Sequence, residues 1–93
     1  MLRITTFTNH SATIKLEGTF RREWVGGVEA EFRHIRGRGF LVTLDLHRVT
    51  FVDIAGLRLI RQLADRGAQI GPCSLFVAEL LRSAGLAFSA DRS

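Results

Sequence analysis

The sequence of 93 residues is 46% hydrophobic and contains seven Phe and one Trp, which is typical of a folded chain and excludes a disordered one. The formal net charge is +4, but the 13 cations are spread from Arg3 to Arg92 among nine carboxylates, so we do not expect nucleic acid as a partner. No apolar run reaches the roughly 18 residues of a membrane span. We therefore expect a single domain over residues 1–93.

The first predicted elements are two strands that form a hairpin, over residues 2–7 and 12–16. The second strand alternates apolar and polar side chains, so one of its faces should be buried. Gly18 breaks the alternation, and Thr19 is predicted to cap a first helix. The apolar side chains of that helix recur every three or four residues, at Phe20, Trp24, Val28, Phe32 and Ile35.

The central segment, residues 40–63, changes its periodicity half-way. Residues 40–46 are almost all apolar or β-branched without clean alternation, which is typical of a central strand covered on both faces. After a short link over residues 47–52, apolar side chains recur at helical spacing, at Ile54, Leu57, Ile60 or its neighbour Leu59, Leu63 and Ala64. Asp53 lies at the changeover, where its carboxylate can accept hydrogen bonds from the first N–H groups of the helix. We therefore predict strand, tight loop and helix, with an exposed polar helix start.

Gly67 is expected to follow the end of this second helix. A short strand over residues 68–70 comes next, and Pro72 should cut it off because proline has no N–H. Ser74 is predicted to cap a third helix, whose apolar face would consist of Phe76, Val77, Leu80, Leu81 and Ala84. Gly85 should end that helix.

The tail beyond residue 85 contains Phe88, which could hold one more short segment at the edge of a sheet. The predicted order is therefore β-β-α-β-α-β-α. A strand, a helix and another strand in series favour right-handed parallel crossovers. We expect an α/β fold, a small mixed β-sheet with helices packed on it.

Two stretches of the chain are similar to a known family. They are Leu44-Asp45-Leu46 and Val49-Thr50-Phe51-Val52-Asp53-Ile54-Ala55-Gly56-Leu57. They resemble the STAS domain, the fold of bacterial anti-sigma factor antagonists and of the cytosolic tails of sulfate transporters, whose pattern is an apolar strand, then V-T-F-hydrophobic-D-S-A/S-G-L, then a helix. Residues 67–70 and 77–86 fit the fourth strand and third helix of that family, so the resemblance extends over residues 4–86.

The resemblance implies a non-catalytic regulatory domain that binds a protein through the start of the second helix. The partner would be an anti-sigma factor kinase or a related signalling protein, and the role would be transcription regulation in the cytoplasm of a bacterium. The alternative is an accessory subunit that docks on the ATPase of a lipid-type membrane transporter. For either partner, the predicted binding residues are Thr50, Asp53, Ile54, Ala55, Gly56, Leu57, Arg58 and Arg61.

Ile54 departs from the family pattern, because antagonists that a kinase switches have Ser or Thr after the loop Asp. A phosphate there adds about −1.5 to −2 charges beside the helix start and would repel a partner. Ile has no hydroxyl, so we expect this switch to be absent and binding to be constitutive, or controlled by abundance or a ligand. Thr50 has a nearby hydroxyl that could replace it, although Thr is also a common strand former.

Arg58 and Arg61 are predicted to lie on the outward side of the second helix. Such a face is either simply solvated or an interface with an acidic partner surface, where exposed Arg is a favoured anchor.

The sequence contains no motif that indicates a metal site, a cofactor site or a catalytic site. The three His residues are isolated, Cys73 is the only cysteine, and no catalytic triad or phosphate-binding glycine loop is present. We therefore expect no metal, no cofactor, no enzymatic activity and a buried Cys73. The start of the sequence lacks the apolar block of a signal peptide, so the cytosol is the expected compartment.

Overall fold

The computed structural model describes residues 1–85. The elements are, in chain order, β1 (Leu2–Thr8), β2 (Ala12–Phe20), α1 (Arg22–Gly37), β3 (Val42–Val52), α2 (Ile54–Asp65), β4 (Gln69–Cys73) and α3 (Leu75–Ser83). The predicted order and the predicted mixed sheet with helices packed on it are confirmed. The further segment expected around Phe88 lies outside the described residues.

The four strands of this part of the chain form one sheet in the order β1-β2-β3-β4. β1 is antiparallel to β2, whereas β3 is parallel to both of its neighbours. Both parallel connections step in the same direction across the sheet, so right-handed crossovers put α1 and α2 on the same face. The carboxyl ends of the three parallel strands meet at one side of the sheet. We call this side the carboxyl edge and define it by the residues that follow those strands, Arg21, Asp53 and Ser74.

One face of the sheet is buried under the helices. Alternate side chains of the two central strands are at most 1% exposed, namely Ala12, Ile14, Leu16, Val42, Leu44 and Leu46. Thr43 and Asp45 alternate with them on the other face and are half-exposed. The prediction that this strand is covered on both faces is therefore wrong. Phe40 and Leu41 precede the strand, and counting Phe40 and Leu41 as part of it hid the alternation.

β2 runs on to Phe20, beyond its predicted end. Gly18 pairs with Val49 of β3 and Thr19 pairs with Phe51. Thr19 is therefore a strand residue, and its prediction as the cap of α1 is wrong. Hydrogen bonding to the neighbouring strand β3 keeps Gly18 and Thr19 in the extended conformation of β2. This pairing outweighs the low strand propensity of a single glycine.

β3 and β4 also continue through residues that were predicted to interrupt them. Residues 47–52 belong to β3, and shifts in its register with β2 take up the extra length as bulges. Pro72 belongs to β4, next to a register shift between β3 and β4. β4 is an edge strand, where the missing N–H of proline does not break the pairing.

The buried side of α2 differs from the predicted stripe. It consists of Gly56, Leu59, Ile60 and Leu63, whereas Ile54 is 67% exposed. The small Gly56 lets the helix approach the sheet on that side, which leaves Ile54 outside the core.

Candidate protein-interaction site

Asp53 holds the starts of two helices at the carboxyl edge. Its Oδ1 accepts a hydrogen bond from the Gly56 N–H at 2.8 Å, which confirms the predicted cap of α2. Its Oδ2 accepts from the Arg22 N–H at 2.8 Å. Arg22 begins α1, and the N-cap residue of that helix, Arg21, supplies no side-chain hydrogen bond of its own. The backbone N–H of Asp53 donates to the Phe20 carbonyl at 3.1 Å, so the whole arrangement is fixed to the end of β2.

These contacts lower the pKa of the Asp53 carboxyl below its ordinary value. The hydrogen bond from the Gly56 N–H is the largest cause, and desolvation acts in the opposite direction. The Arg22 N–H and the positive charges of Arg21 and Arg22 lower the pKa further. Helix N-termini favour a negative charge for the same reason. Asp53 is therefore ionised at neutral pH, and its charge is compensated within the protein.

Ile54 occupies the first position of α2, and its side chain is 67% exposed. Ala55 beside it is half-buried. An exposed aliphatic side chain therefore marks the helix start, next to the carboxylate that caps it. This is the position at which the STAS pattern has a hydroxyl.

Gly56 and Leu57 face the protein interior more than the solvent. A Cβ at Gly56 would lie 2.9 Å from the Phe20 carbonyl oxygen and 3.0 Å from Val52 Cγ1. Gly56 therefore permits a close approach of helix to strand. Leu57 is half-buried and packs against the core. Both residues support the helix start and contribute little accessible surface to it.

Arg58 and Arg61 lie exposed on α2, in line with the outward face that the sequence predicts. Within residues 1–85, the side chain of Arg58 makes no hydrogen bond or ion pair. The Nη2 of Arg61 donates to the carbonyl of Ala84, just after α3, at 3.4 Å. Arg66 is held differently, because its Nη1 lies 3.4 Å from Glu29 Oε2 of α1. The guanidinium groups of Arg58 and Arg61 are therefore the better placed for a partner.

Thr50 is exposed near the end of β3. Its Oγ1 donates a hydrogen bond to the Gly18 carbonyl at 3.2 Å, across to β2. The hydroxyl thus has a structural partner inside the sheet.

A stack of three side chains at the carboxyl edge was not predicted. The Arg21 Cζ lies 4.6 Å from the centroid of the Phe51 ring, and the Phe51 and Phe76 centroids are 5.9 Å apart with 28° between the ring planes. The three residues lie at or just beyond the ends of β2, β3 and β4. Since the carboxyl ends of neighbouring parallel strands lie at the same side of a sheet, the predicted order of elements already contained a signal for this cluster.

No metal or reactive thiol site emerges from the described residues. Residues 1–85 contain no group of three or more His, Cys, Asp or Glu side chains that could hold a metal ion. Cys73 is half-buried, and burial raises its pKa to about 11, with the charge of Asp45 adding to the effect. The thiol is therefore protonated at neutral pH. In the described part of the chain, no helix has the length and apolarity to cross a bilayer.

The strand order and the mixed sheet, with a capped helix start at its carboxyl edge, define a small α/β domain. Solved structures with this fold confirm the predicted resemblance at the level of fold. The anti-sigma factor antagonist SpoIIAA in its unphosphorylated form is 16% identical, with a TM-score of 0.69 over 100% of this chain and 90% of SpoIIAA. The phosphorylated form of the Bacillus cell fate determinant SpoIIAA is 18% identical, with a TM-score of 0.66 over 92% and 85% of the two chains.

A third solved structure is an uncharacterised protein of the DUF3478 family from Shewanella loihica, which has a SpoIIAA-like fold. It is 11% identical, with a TM-score of 0.58 over 97% of this chain and 86% of that chain. No protein-family model and no curated protein sequence matches this chain. The similarity thus concerns the fold, and the function must be argued from the residues of the site.

Proposed function

We propose that this chain is a non-catalytic regulatory domain that binds a protein partner through the α2 start. We use this name for the surface over residues 50–61 that contains Thr50, Asp53, Ile54, Ala55, Gly56, Leu57, Arg58 and Arg61. SpoIIAA, which shares the fold, is an anti-sigma factor antagonist. The partner proposed here is accordingly an anti-sigma factor kinase or a related cytoplasmic signalling protein.

The exposure of Ile54 is the observation that carries this proposal. An aliphatic side chain that is 67% exposed at a helix start can become the apolar centre of an interface. Arg58 lies about one turn further along α2, and its guanidinium group has no partner within residues 1–85, so it can serve as a rim anchor for an acidic surface. The charge of Asp53 is compensated by its own helix starts, so Asp53 does not repel such a surface.

Ile54 also leaves the first position of α2 without a hydroxyl that a kinase could phosphorylate. SpoIIAA has been solved in a phosphorylated and an unphosphorylated form. Ile54 cannot accept a phosphate, and the nearby Thr50 hydroxyl is bonded to the Gly18 carbonyl. We infer that binding is constitutive with respect to phosphorylation at this position.

Capture by a purified anti-sigma factor kinase from the same genome tests the proposal. We expect Arg58→Glu/Arg61→Glu to weaken binding about tenfold or more, since the two side chains lose a favourable charge contact and gain a repulsive one. The control is Arg36→Glu/Arg38→Glu, with the same charge change at the far end of α1. Equal binding of both double variants would remove this face of α2 from the interface. Capture by a transporter ATPase instead would support the alternative role.

Incubation of the protein with that kinase and ATP tests the absence of the switch. Intact-mass measurement should show unmodified protein, because the α2 start offers no free hydroxyl at position 54. A single phosphate located by peptide mapping to residues 50–54 would contradict constitutive binding while leaving the interaction itself untouched.

A further inference from the structure

The outer side of α3 has an apolar groove that the α2 start does not include. Its volume is about 450 Å³, and its lining consists of Leu75, Phe76, Glu79, Leu80 and Ser83. Leu75 is 86% exposed and Phe76 is 41% exposed, although the sequence predicts Phe76 in the buried face. A helix that packs only on a sheet needs a single apolar side, and Val77 and Leu81 already provide it for α3. On the second apolar side, Phe76 stacks on Phe51 and Leu80 packs partly against the core, whereas the Leu75 side chain is left exposed among residues 1–85. We call this surface the α3 groove.

A guanidinium group lies near each end of α3, although neither arginine lines the groove itself. At the amino end, Phe76 stacks on Phe51, and the Arg21 guanidinium lies over the other ring of that pair, 4.6 Å from the Phe51 centroid. At the carboxyl end, Arg61 Nη2 donates to the carbonyl of Ala84, the residue that ends α3. The helix between the two ends is about 12 Å long, since each residue of an α-helix adds about 1.5 Å.

The middle of the α3 groove is electrically balanced. Glu79 is the acid among its lining residues, and the Glu79 Oε2 lies 2.7 Å from Arg82 Nη1. The charge pattern is thus positive, neutral and positive along the axis of α3. An occupant that matches it needs an apolar middle and a negative charge near each end.

We propose that the α3 groove is a second docking surface, which takes an amphipathic helix of a protein partner with carboxylates at both ends of its apolar stripe. Leu75 and Phe76 would be its apolar contacts, as in other grooves that bind a helix. Carboxylates near the two ends of that helix would face Arg21 and Arg61, which lie near the two ends of α3. This proposal goes beyond the function proposed above, because it depends neither on Ile54 nor on the identity of the kinase, although Arg61 is common to both surfaces.

A designed peptide is the probe for this surface. It is a fluorescein-labelled helix of about 14 residues, long enough to cover the groove, with Leu at helical spacing and Glu at both ends. A second peptide has Lys in place of each Glu. We expect saturable binding of the Glu peptide by fluorescence anisotropy, weaker binding of the Lys peptide, and NMR amide shifts at Leu75, Leu80 and Ser83.

Two kinds of variant separate the apolar from the charged contribution. Leu75→Glu should weaken binding of the Glu peptide about tenfold or more, whereas Leu41→Glu, which changes a 70% exposed residue just before β3, should leave it unchanged. Arg21→Glu/Arg61→Glu should reverse the preference in favour of the Lys peptide. All four positions are exposed, and circular dichroism checks that each variant is folded.

Three results would overturn the proposal. The first is no saturable binding of the Glu peptide, and the second is equal binding by wild type and Leu75→Glu. The third is self-association of the protein in sedimentation velocity that Leu75→Glu abolishes, because a second copy of this chain would then be the occupant. Loss of peptide binding in Leu75→Glu with intact kinase capture would show that the two surfaces act separately.

Discussion

The starts of α2 and α3 lie at the carboxyl edge of the same sheet and share one plan. Each follows a parallel strand, and each has a capping side chain that accepts a hydrogen bond from the N–H three residues on, at 2.8 Å for Asp53 and 3.2 Å for Ser74. Each then has an exposed aliphatic residue at the first helical position, Ile54 at 67% and Leu75 at 86%. The sheet thus presents two apolar contact points, each beside a satisfied cap.

The two caps differ in what else they bind. The hydroxyl of Ser74 also donates to the Val49 carbonyl at 2.6 Å, which ties α3 to β3. The carboxylate of Asp53 can only accept, and its second oxygen takes the Arg22 N–H at the start of α1. One cap therefore joins a helix to a strand, while the other joins two helices. Asp53 therefore fixes the starts of α1 and α2 to each other, whereas Ser74 fixes the start of α3 to the sheet.

The third helical position separates the two starts most strongly, because α2 has Gly56 there and α3 has the buried Val77. In Gly56→Ala the new Cβ would lie 2.9 Å from the Phe20 carbonyl oxygen. We expect the free energy of unfolding, measured with urea, to fall by about 1–3 kcal/mol. The matched control is Gly26→Ala in α1, where a Cβ meets nothing within 4 Å and the better helix former should add up to about 1 kcal/mol. Similar values for the two variants would contradict the close packing of α2.

The variant Asp53→Asn tests the two hydrogen bonds of the Asp53 carboxylate separately, the one from the Gly56 N–H and the one from the Arg22 N–H. The amide oxygen of Asn can still accept from the Gly56 N–H, but its NH2 group cannot accept from the Arg22 N–H. We expect hydrogen exchange at the Arg22 amide to become faster while the Gly56 amide stays protected. In Asp53→Ala both amides should lose protection. Faster exchange at Gly56 alone in Asp53→Asn would contradict the assignment of the two oxygens.

The two caps also differ in their response to pH. The folded-state pKa of Asp53 is lowered from 3.8, so the stabilisation by its carboxylate is present above the unfolded pKa and is lost as the pH falls through the folded pKa. We expect the Tm difference between wild type and Asp53→Asn to be constant well above the unfolded pKa and to shrink as the pH falls through the lowered folded-state pKa. The Tm difference caused by Ser74→Ala should not change in the same way, because the hydroxyl does not titrate. A pH-independent effect of Asp53→Asn would show that its charge is irrelevant to stability.

The smallest effect on stability is expected at the exposed first positions. Ile54→Ser should change the free energy of unfolding by no more than about 0.5 kcal/mol, because the side chain is largely outside the core. It would nevertheless supply the hydroxyl that the STAS pattern has, so incubation with the kinase and ATP should add one phosphate. Leu75→Ser, at the equivalent position of α3, is the control and should stay unmodified. If neither variant gains a phosphate, the kinase does not recognise the α2 start as a substrate.

The caps and the ends of α2 and α3 were predictable from the sequence. Asp53 and Ser74 were predicted as caps from their residue type and position, and both accept the expected hydrogen bonds. Gly67 and Gly85 were predicted to follow the ends of α2 and α3, and both have positive φ, 101° and 74°. In each case the decisive contacts lie within one turn of the residue, so a short stretch of sequence contains the information.

Long-range contacts account for the predictions that were wrong. The length of β2 depends on the pairing of Phe20 with Val52, which lies far along the chain. The course of β4 through Pro72 depends on its position at the edge of the sheet, which the order of elements alone does not give. The bond from Arg22 to Asp53 joins residues 31 positions apart. Propensity and periodicity describe neighbours in sequence, and these features result from neighbours in space.

Pro72 also protects one side of the sheet. It lies exposed on β4, the edge strand next to β3, and it has no N–H to offer to a strand from another molecule. Uncapped edges are the usual sites of intermolecular β-pairing and aggregation, and a proline there interrupts the ladder. In the sheet of residues 1–85 the opposite edge, β1, has no proline. Under crowded conditions, fibril growth or strand exchange would therefore begin along β1 rather than along β4.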